Sequence, residues 1–191
     1  MSYQEQIIKH YESVWNHAAK IYLWDKGPIE KLPHDFRVLE FAPNRERDMW
    51  TYATCSMAQP KDAMPIELHI FSSIKDETII ELLTVAYYHR NTSMLGLNHT
   101  MNFGRPWQNI SACNHGFISL PYLEGPDLEK MEVKQNKIIK FYWLIPLPIK
   151  KLILKCQKEL KLLKVNSKQN AFDYINPKRR STVKLKYKII T

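Results

Sequence analysis

Hydrophobic positions in residues 3–23 return at three- and four-residue steps. Ile7, Ile8, Tyr11, Val14, Trp15, Ala18 and Tyr22 make one apolar stripe, which predicts a long amphipathic helix closed by Gly27-Pro28. The period then shortens. "FRVLEFAP" (36–43) reads as a short strand stopped by proline, and "MWTYATCSM" (49–57) as a strand with Trp50, Tyr52 and Thr54 on one face. "MPIELHIFSS" (64–73) alternates cleanly, with Ile66, Leu68 and Ile70 on one side and Glu67, His69 and Phe71 on a half-exposed other side.

A helical period returns over 76–90, where Asp76 or the preceding serines cap, Glu77 sits in the first turn, and Ile79, Leu82, Leu83 and Ala86 face inward. Residues 91–115 keep no steady period. "GFISLPY" (116–122) predicts a strand, "GPDLEKMEVKQNK" a polar turn region, and "KIIKFYWLIPL" (137–147) a central strand buried on both faces. Over 149–164, Ile149, Ile153, Cys156, Leu160 and Leu163 make the stripe of a third helix surrounded by lysines. The tail "FDYINPKRRSTVKLKYKIIT" reads as a short ordered segment or strand followed by a basic end. Strands come in runs, without strict alternation with helices. The pattern predicts an α+β fold: a largely antiparallel or mixed sheet of about five to six strands packed with three main helices. With 191 residues the chain has the size of one domain, 1–191, ending in a basic segment at 184–191.

Charge divides this picture in two. Residues 1–133 carry 12 Lys and Arg against 17 Asp and Glu, a net −5, whereas residues 134–191 carry 16 against 2, a net +14. The basic third could meet nucleic acid, an anionic surface or an acidic protein patch, or simply be a solvated face. In the third helix, packing of the Ile/Leu stripe on the sheet is the better reading than a surface-lying basic helix. Three cysteines, Cys55, Cys113 and Cys156, are too few and too scattered for a disulfide framework, which fits a reducing cytosol. "MSYQEQIIKHYESVW" lacks the charge and hydrophobicity pattern of a signal peptide, and "IIKFYWLIPLPIKKLILKC" holds too many lysines and prolines to span a membrane. The expected location is cytoplasmic. On that reading, the sequons beginning at Asn91, Asn98 and Asn109 are chance matches.

No phosphate loop, dinucleotide fingerprint, zinc-protease motif, C-x-x-C or nucleophile elbow occurs, and only five glycines are available for such loops. Glu67 and His69 share a strand face, but a metal would need a third ligand from elsewhere. Cys55 in a strand reads as a small buried hydrophobe. The expectation is a non-enzyme without cofactor or metal. One stretch collects polar and aromatic residues: "LNHTMNFGRPW" (97–107). Gly104 and Pro106 read as turn chemistry that places Trp107 in the core. Secondarily, His99, Arg105 and Trp107 are candidates for a protein-contact surface, Arg and Trp being enriched at binding hot spots.

In series, "MWTYATCSMAQP" followed by "PIELHIF", "LNHTMNFGRPW", "GFISLPY", "IKFYWLIPL" and "INPKRRSTV" resemble the suppressor of fused (SUFU) family, over about residues 5–183. The start of the third helix departs from the family, since Pro148, Lys150 and Lys151 stand where it usually has a hydroxyl cap and an acidic first turn. The resemblance implies protein binding without catalysis. Eukaryotic members sequester a transcription factor in Hedgehog signalling. Short bacterial-type members resemble immunity proteins or antitoxins that neutralise a cognate polymorphic toxin, often a nuclease. Such a toxin's basic site would favour the acidic body as the docking surface. The alternative is a nucleic-acid- or anionic-surface-binding module that uses the basic C-terminal third.

Overall fold

A computed structural model of the protein describes residues 1–22, 28–75, 80–108, 111–133 and 136–148. Helix α1 (Tyr3–Trp15) starts at a capping box in which the Ser2 hydroxyl accepts from the Glu5 backbone N–H and the Glu5 carboxylate accepts from the Ser2 backbone N–H. It buries Ile7, Tyr11 and Trp15. The helix is shorter than its stripe predicts. Asn16 takes the left-handed conformation, at φ 46°, and ends it. The apolar positions beyond belong to an edge strand, β1 (Lys20–Tyr22).

After a 3₁₀ turn at Pro28–Lys31 come β2 (Arg37–Phe41), β3 (Trp50–Cys55) and β4 (Ile66–Ser72). Helix α2 (Ile80–Asn91) follows, then β5 (Thr100–Asn102) and β6 (His115–Ser119). A one-turn helix, α3 (Pro126–Glu129), leads into β7 (Lys130–Val133) and β8 (Lys137–Leu147). The fold is α+β, but the sheet has eight strands, with the order β1-β2-β3-β4-β8-β6-β5 and β7 also on β8. β4 and β8 run parallel and every other pair is antiparallel, so the sheet is mixed.

Three short strands were hidden in the sequence. β1 was read as helix, β5 lies in the stretch without a period, and β7 lies in the predicted polar turn. Each has three or four residues, too few to show an alternation. The predicted third helix at 149–164 and the basic tail lie outside the described residues.

Register explains how the site is built. Lys140 of β8 pairs with Ile66 of β4 on one side and Lys130 of β7 on the other. Trp143 pairs with His69 of β4 on one side and Ser119 of β6 on the other. β6 and β7 therefore follow one another along the same edge of β8, and residues 120–129 leave that edge as a strap. Strap and α1 cover one face of the sheet, where Ile7, Tyr11 and Trp15 meet Leu39, Phe41, Leu128 and Phe141. Helix α2 and the loop holding Trp107 cover the other, against Val38, Tyr52, Ile66, Leu68, Ile70, Tyr142 and Leu144.

Candidate functional site

β4 is buried along its whole length, which corrects the half-exposed face expected from its alternation. Glu67 and His69, on that face, are both 0% exposed. The two side chains meet different neighbours. Glu67 is held by the β3–β4 turn: Thr54 Oγ1 donates to Oε2 at 2.5 Å and the Ala58 backbone N–H donates to Oε1 at 3.0 Å. Ser56 reaches this turn at φ 68°. Burial outweighs these hydrogen bonds and pushes the Glu67 carboxyl up to about 8. Burial likewise raises the neighbouring Cys55 thiol far above its ordinary value, with Glu67 adding to it, which favours the protonated thiol over the thiolate.

His69 faces a second group assembled from three other elements. The β2–β3 connection supplies Arg47, presented by a turn in which Asn44 Oδ1 accepts from the backbone N–H groups of Glu46 and Arg47 at 2.9 and 2.8 Å. The strap supplies Glu124, at a turn where the N–H groups of Glu124 and Gly125 donate to Pro121 O and Gly125 takes φ +69°. Helix α1 supplies Trp15. Glu124 Oε1 accepts from Arg47 Nη1 at 3.0 Å, from Arg47 Nη2 at 2.9 Å and from Trp15 Nε1 at 3.2 Å. The guanidinium carbon of Arg47 lies 5.2 Å from the ring centroids of both Trp15 and Phe71.

Glu124 Oε2 is 4.0 Å from His69 Nε2, too far for a hydrogen bond. Neither ring nitrogen of His69 nor this Glu124 oxygen has a hydrogen-bond partner among the described residues. Burial, with the Arg47 charge adding to it, pulls the His69 imidazole down to about 3, so the contact is not an ion pair. Burial also raises the Glu124 carboxyl, against the lowering effect of Arg47. Outside this cluster opens a cleft of about 540 Å³, lined by His10, Ser13 and Val14 of α1, by Arg47, and by Leu123, Glu124 and Asp127 of the strap.

The stretch 97–107 lies at the other side of the sheet. Trp107 is 1% exposed and belongs to the core cluster beneath α2, and its N–H donates to Cys113 O at 2.6 Å. Gly104 at φ +74° and Asn102 Oδ1, which accepts from the Gly104 N–H, shape the turn. Arg105 is half-buried, with Nε 3.4 Å from the buried Glu81 carboxylate. His99 is exposed and its Nδ1 accepts from the Gly96 N–H at 3.2 Å. The loop thus brings the three residues into one segment but buries the tryptophan in the interior. Among the described residues no group of three or more His, Cys, Asp or Glu could hold a metal, and no helix is long and apolar enough to cross a membrane.

Residues Arg47, Glu124 and Trp15 were not singled out by sequence reasoning. They are 32 and 77 or more positions apart, and a set gathered from a helix end and two connections leaves no spacing to read. The faint signal is Glu124 itself, a lone acid between Pro121 and Gly125-Pro126.

An open mixed sheet, covered by α1 and the strap on one face and by α2 and a tryptophan loop on the other, defines the class of domain. The chain belongs to the suppressor of fused (SUFU) family, whose model matches residues 33–180. It is similar to a crystal structure described as a SUFU homologue from Neisseria gonorrhoeae FA 1090, at 30% identity and a TM-score of 0.76, with 96% of this chain and 98% of that chain covered. Drosophila Suppressor of Fused shares the fold at 11% identity and a TM-score of 0.51, over 78% of this chain and 43% of that one. A chain of a Sufu–Fu complex matches at 14% identity and a TM-score of 0.49, over 78% of this chain and 77% of that one. No curated protein matches the sequence.

Proposed function

We propose that this chain is a non-catalytic protein-binding domain that acts as an immunity protein, neutralising a cognate protein toxin by covering its active surface. Membership of the SUFU family supports the binding role. The observation that carries the choice of surface is the charge division: residues 1–133 hold a net −5. Glu124 and Asp127 line the Arg47 cleft, Glu46 and Asp48 are exposed on either side of Arg47 in the sequence with Arg45 beside them, and Leu123 at the rim is 49% exposed. An acidic mouth with an apolar edge suits a partner with a basic site, such as a nuclease. His99 and Arg105 are a secondary contact edge, with Trp107 holding their loop in place.

Co-expression with the product of the neighbouring gene tests this. That product is expected to arrest growth alone, to be harmless with this chain present, and to be retained with it in a pull-down. A harmless neighbour, or arrest that this chain does not relieve, overturns the reading.

A further inference from the structure

Arg47 occupies a place with the chemistry of a ligand site. Its guanidinium lies by the rings of Trp15 and Phe71, each centroid 5.2 Å away, and both terminal nitrogens meet one carboxylate oxygen of Glu124. Aromatic faces beside a fixed carboxylate select a planar, weakly hydrated cation, which is why guanidinium fits better than ammonium. Glu124 is only 2% exposed in its side chain and keeps Oε2 unpartnered beside His69. Arg47 itself is 19% exposed and comes from a connection between strands, so it can be exchanged without opening the sheet. Beyond it lies a cleft of about 540 Å³, with Asp127 and Leu123 on the strap side.

We infer that the Trp15–Phe71–Glu124 box is a guanidinium-binding site, filled in the free protein by the chain's own Arg47, which an arginine side chain of a partner protein replaces. Space and chemistry both point to an arginine on a polypeptide. The cleft shares Arg47 and Glu124 with the box and offers Val14 and Leu123 to the aliphatic stem, while Asp127 adds a second negative charge to its lining. Once displaced, Arg47 swings toward the exposed Glu46 and Asp48 beside it in sequence. The inference rests on the protein-binding reading, but its test needs no partner.

In the full chain, Arg47→Ala empties the box. Acetyl-arginine-methylamide at millimolar concentration, below the range in which guanidinium unfolds proteins, is expected to raise the melting temperature of Arg47→Ala by about 2–4 °C over an equal concentration of acetyl-lysine-methylamide. The double variant Arg47→Ala/Glu124→Ala should show no such rise. If methylguanidinium stabilises as strongly as the arginine derivative, the site takes a small cation and the polypeptide assignment falls. If arginine and lysine derivatives behave alike, the box is not a guanidinium site. Should Arg47→Ala fail to fold, Arg47→Gln serves instead, with the Trp15 indole N–H resonance as the readout, since that group donates to Glu124. The resonance is expected to move on titration with the arginine derivative, and a resonance that stays put overturns the site. Stabilisation of Arg47→Ala by the arginine derivative without protection from the neighbouring toxin would sink the immunity reading and keep the box; protection without that stabilisation would do the reverse.

Discussion

The two faces of β4 use the same period of two for different ends. Ile66, Leu68 and Ile70 pack into a cluster with Leu82, Leu83, Val85 and Trp107, and the buried ionisable groups on that side, Glu81 and His89, are carried by α2 and not by the sheet. Glu67, His69 and Phe71 look the other way, into a layer that buries two ionisable groups and borders the Arg47–Glu124 pair. Apolar packing tolerates many arrangements of similar volume. A buried carboxylate or imidazole tolerates few, because each must find its partners or give up its charge. The α2 face therefore carries stability, and the α1 face fixes where the strap and the β2–β3 connection lie.

Removing the largest side chain of the apolar face should have the greatest effect. Trp107→Ala is expected to lower stability by about 3–5 kcal/mol, measured by urea unfolding, because it leaves a cavity under α2. On the other face, Glu124→Ala should cost less, about 2–3 kcal/mol, since it strips a partly buried guanidinium of its carboxylate while the cleft still lets water reach Arg47. The order of these two losses tests the division of labour. Were Glu124→Ala the more damaging, the polar layer would be the main source of stability. Glu124→Gln keeps the shape and two acceptor sites fewer, so it should fall between wild type and the alanine variant.

Much of the fold was legible because burial writes a period into the chain. "KIIKFYWLIPL" predicts β8 over the residues it occupies, and "IELHIFS" marks β4. The end of α1 was not legible: Ala18 and Tyr22 continue a helical stripe, and only the left-handed turn at Asn16 breaks it. The burial of the Glu67–His69 face was not legible either. A Glu and a His alternating with isoleucines resemble a solvated face, and nothing local says that α1 and the strap lie over them. Trp107 was readable as an anchor from Gly104 and Pro106 around it. The Arg47–Glu124 pair was not, since it exists only once β6 and β7 share one edge of β8.

Titration separates two neighbours on the polar face. The Glu67 carboxyl is raised from 4.5 to about 8, so between those values the unfolded chain has released a proton that the folded chain still holds. Taken alone, this group makes stability fall as pH rises from about 4.5 to about 8; below about 6.5 the opposite slope of His69 offsets it, so the net decline shows between about 6.5 and 8. The His69 imidazole is lowered from 6.5 to about 3, so there the unfolded chain holds the extra proton and stability falls as pH drops through that window. One such proton gives a slope of at most about 1.4 kcal/mol per pH unit. Urea midpoints followed from acid to neutral pH should show Glu67→Gln flattening the upper limb and His69→Phe flattening the lower. His89, lowered to about 4, keeps part of the lower slope. If both variants track wild type in parallel, neither group is held in the protonation state argued above.

The smallest effect is expected at the rim of the apolar face. Arg105 reaches the Glu81 carboxylate at 3.4 Å with its own side chain 30% exposed, while the carboxylate it meets is only 2% exposed. Arg105→Ala should cost about 1–2 kcal/mol, since it takes a half-exposed cation from a buried carboxylate, and somewhat less in high salt. Its use as a contact is a separate matter, read by partner retention at low and high salt. A variant that stays folded yet loses the partner makes this edge part of the docking surface, in addition to the Arg47 cleft across the sheet. A variant that keeps the partner confines docking to the acidic mouth. In that case the tryptophan loop, for all its binding-type residues, serves only to close the apolar face, and the division between the two sides of β4 becomes one between core and interface.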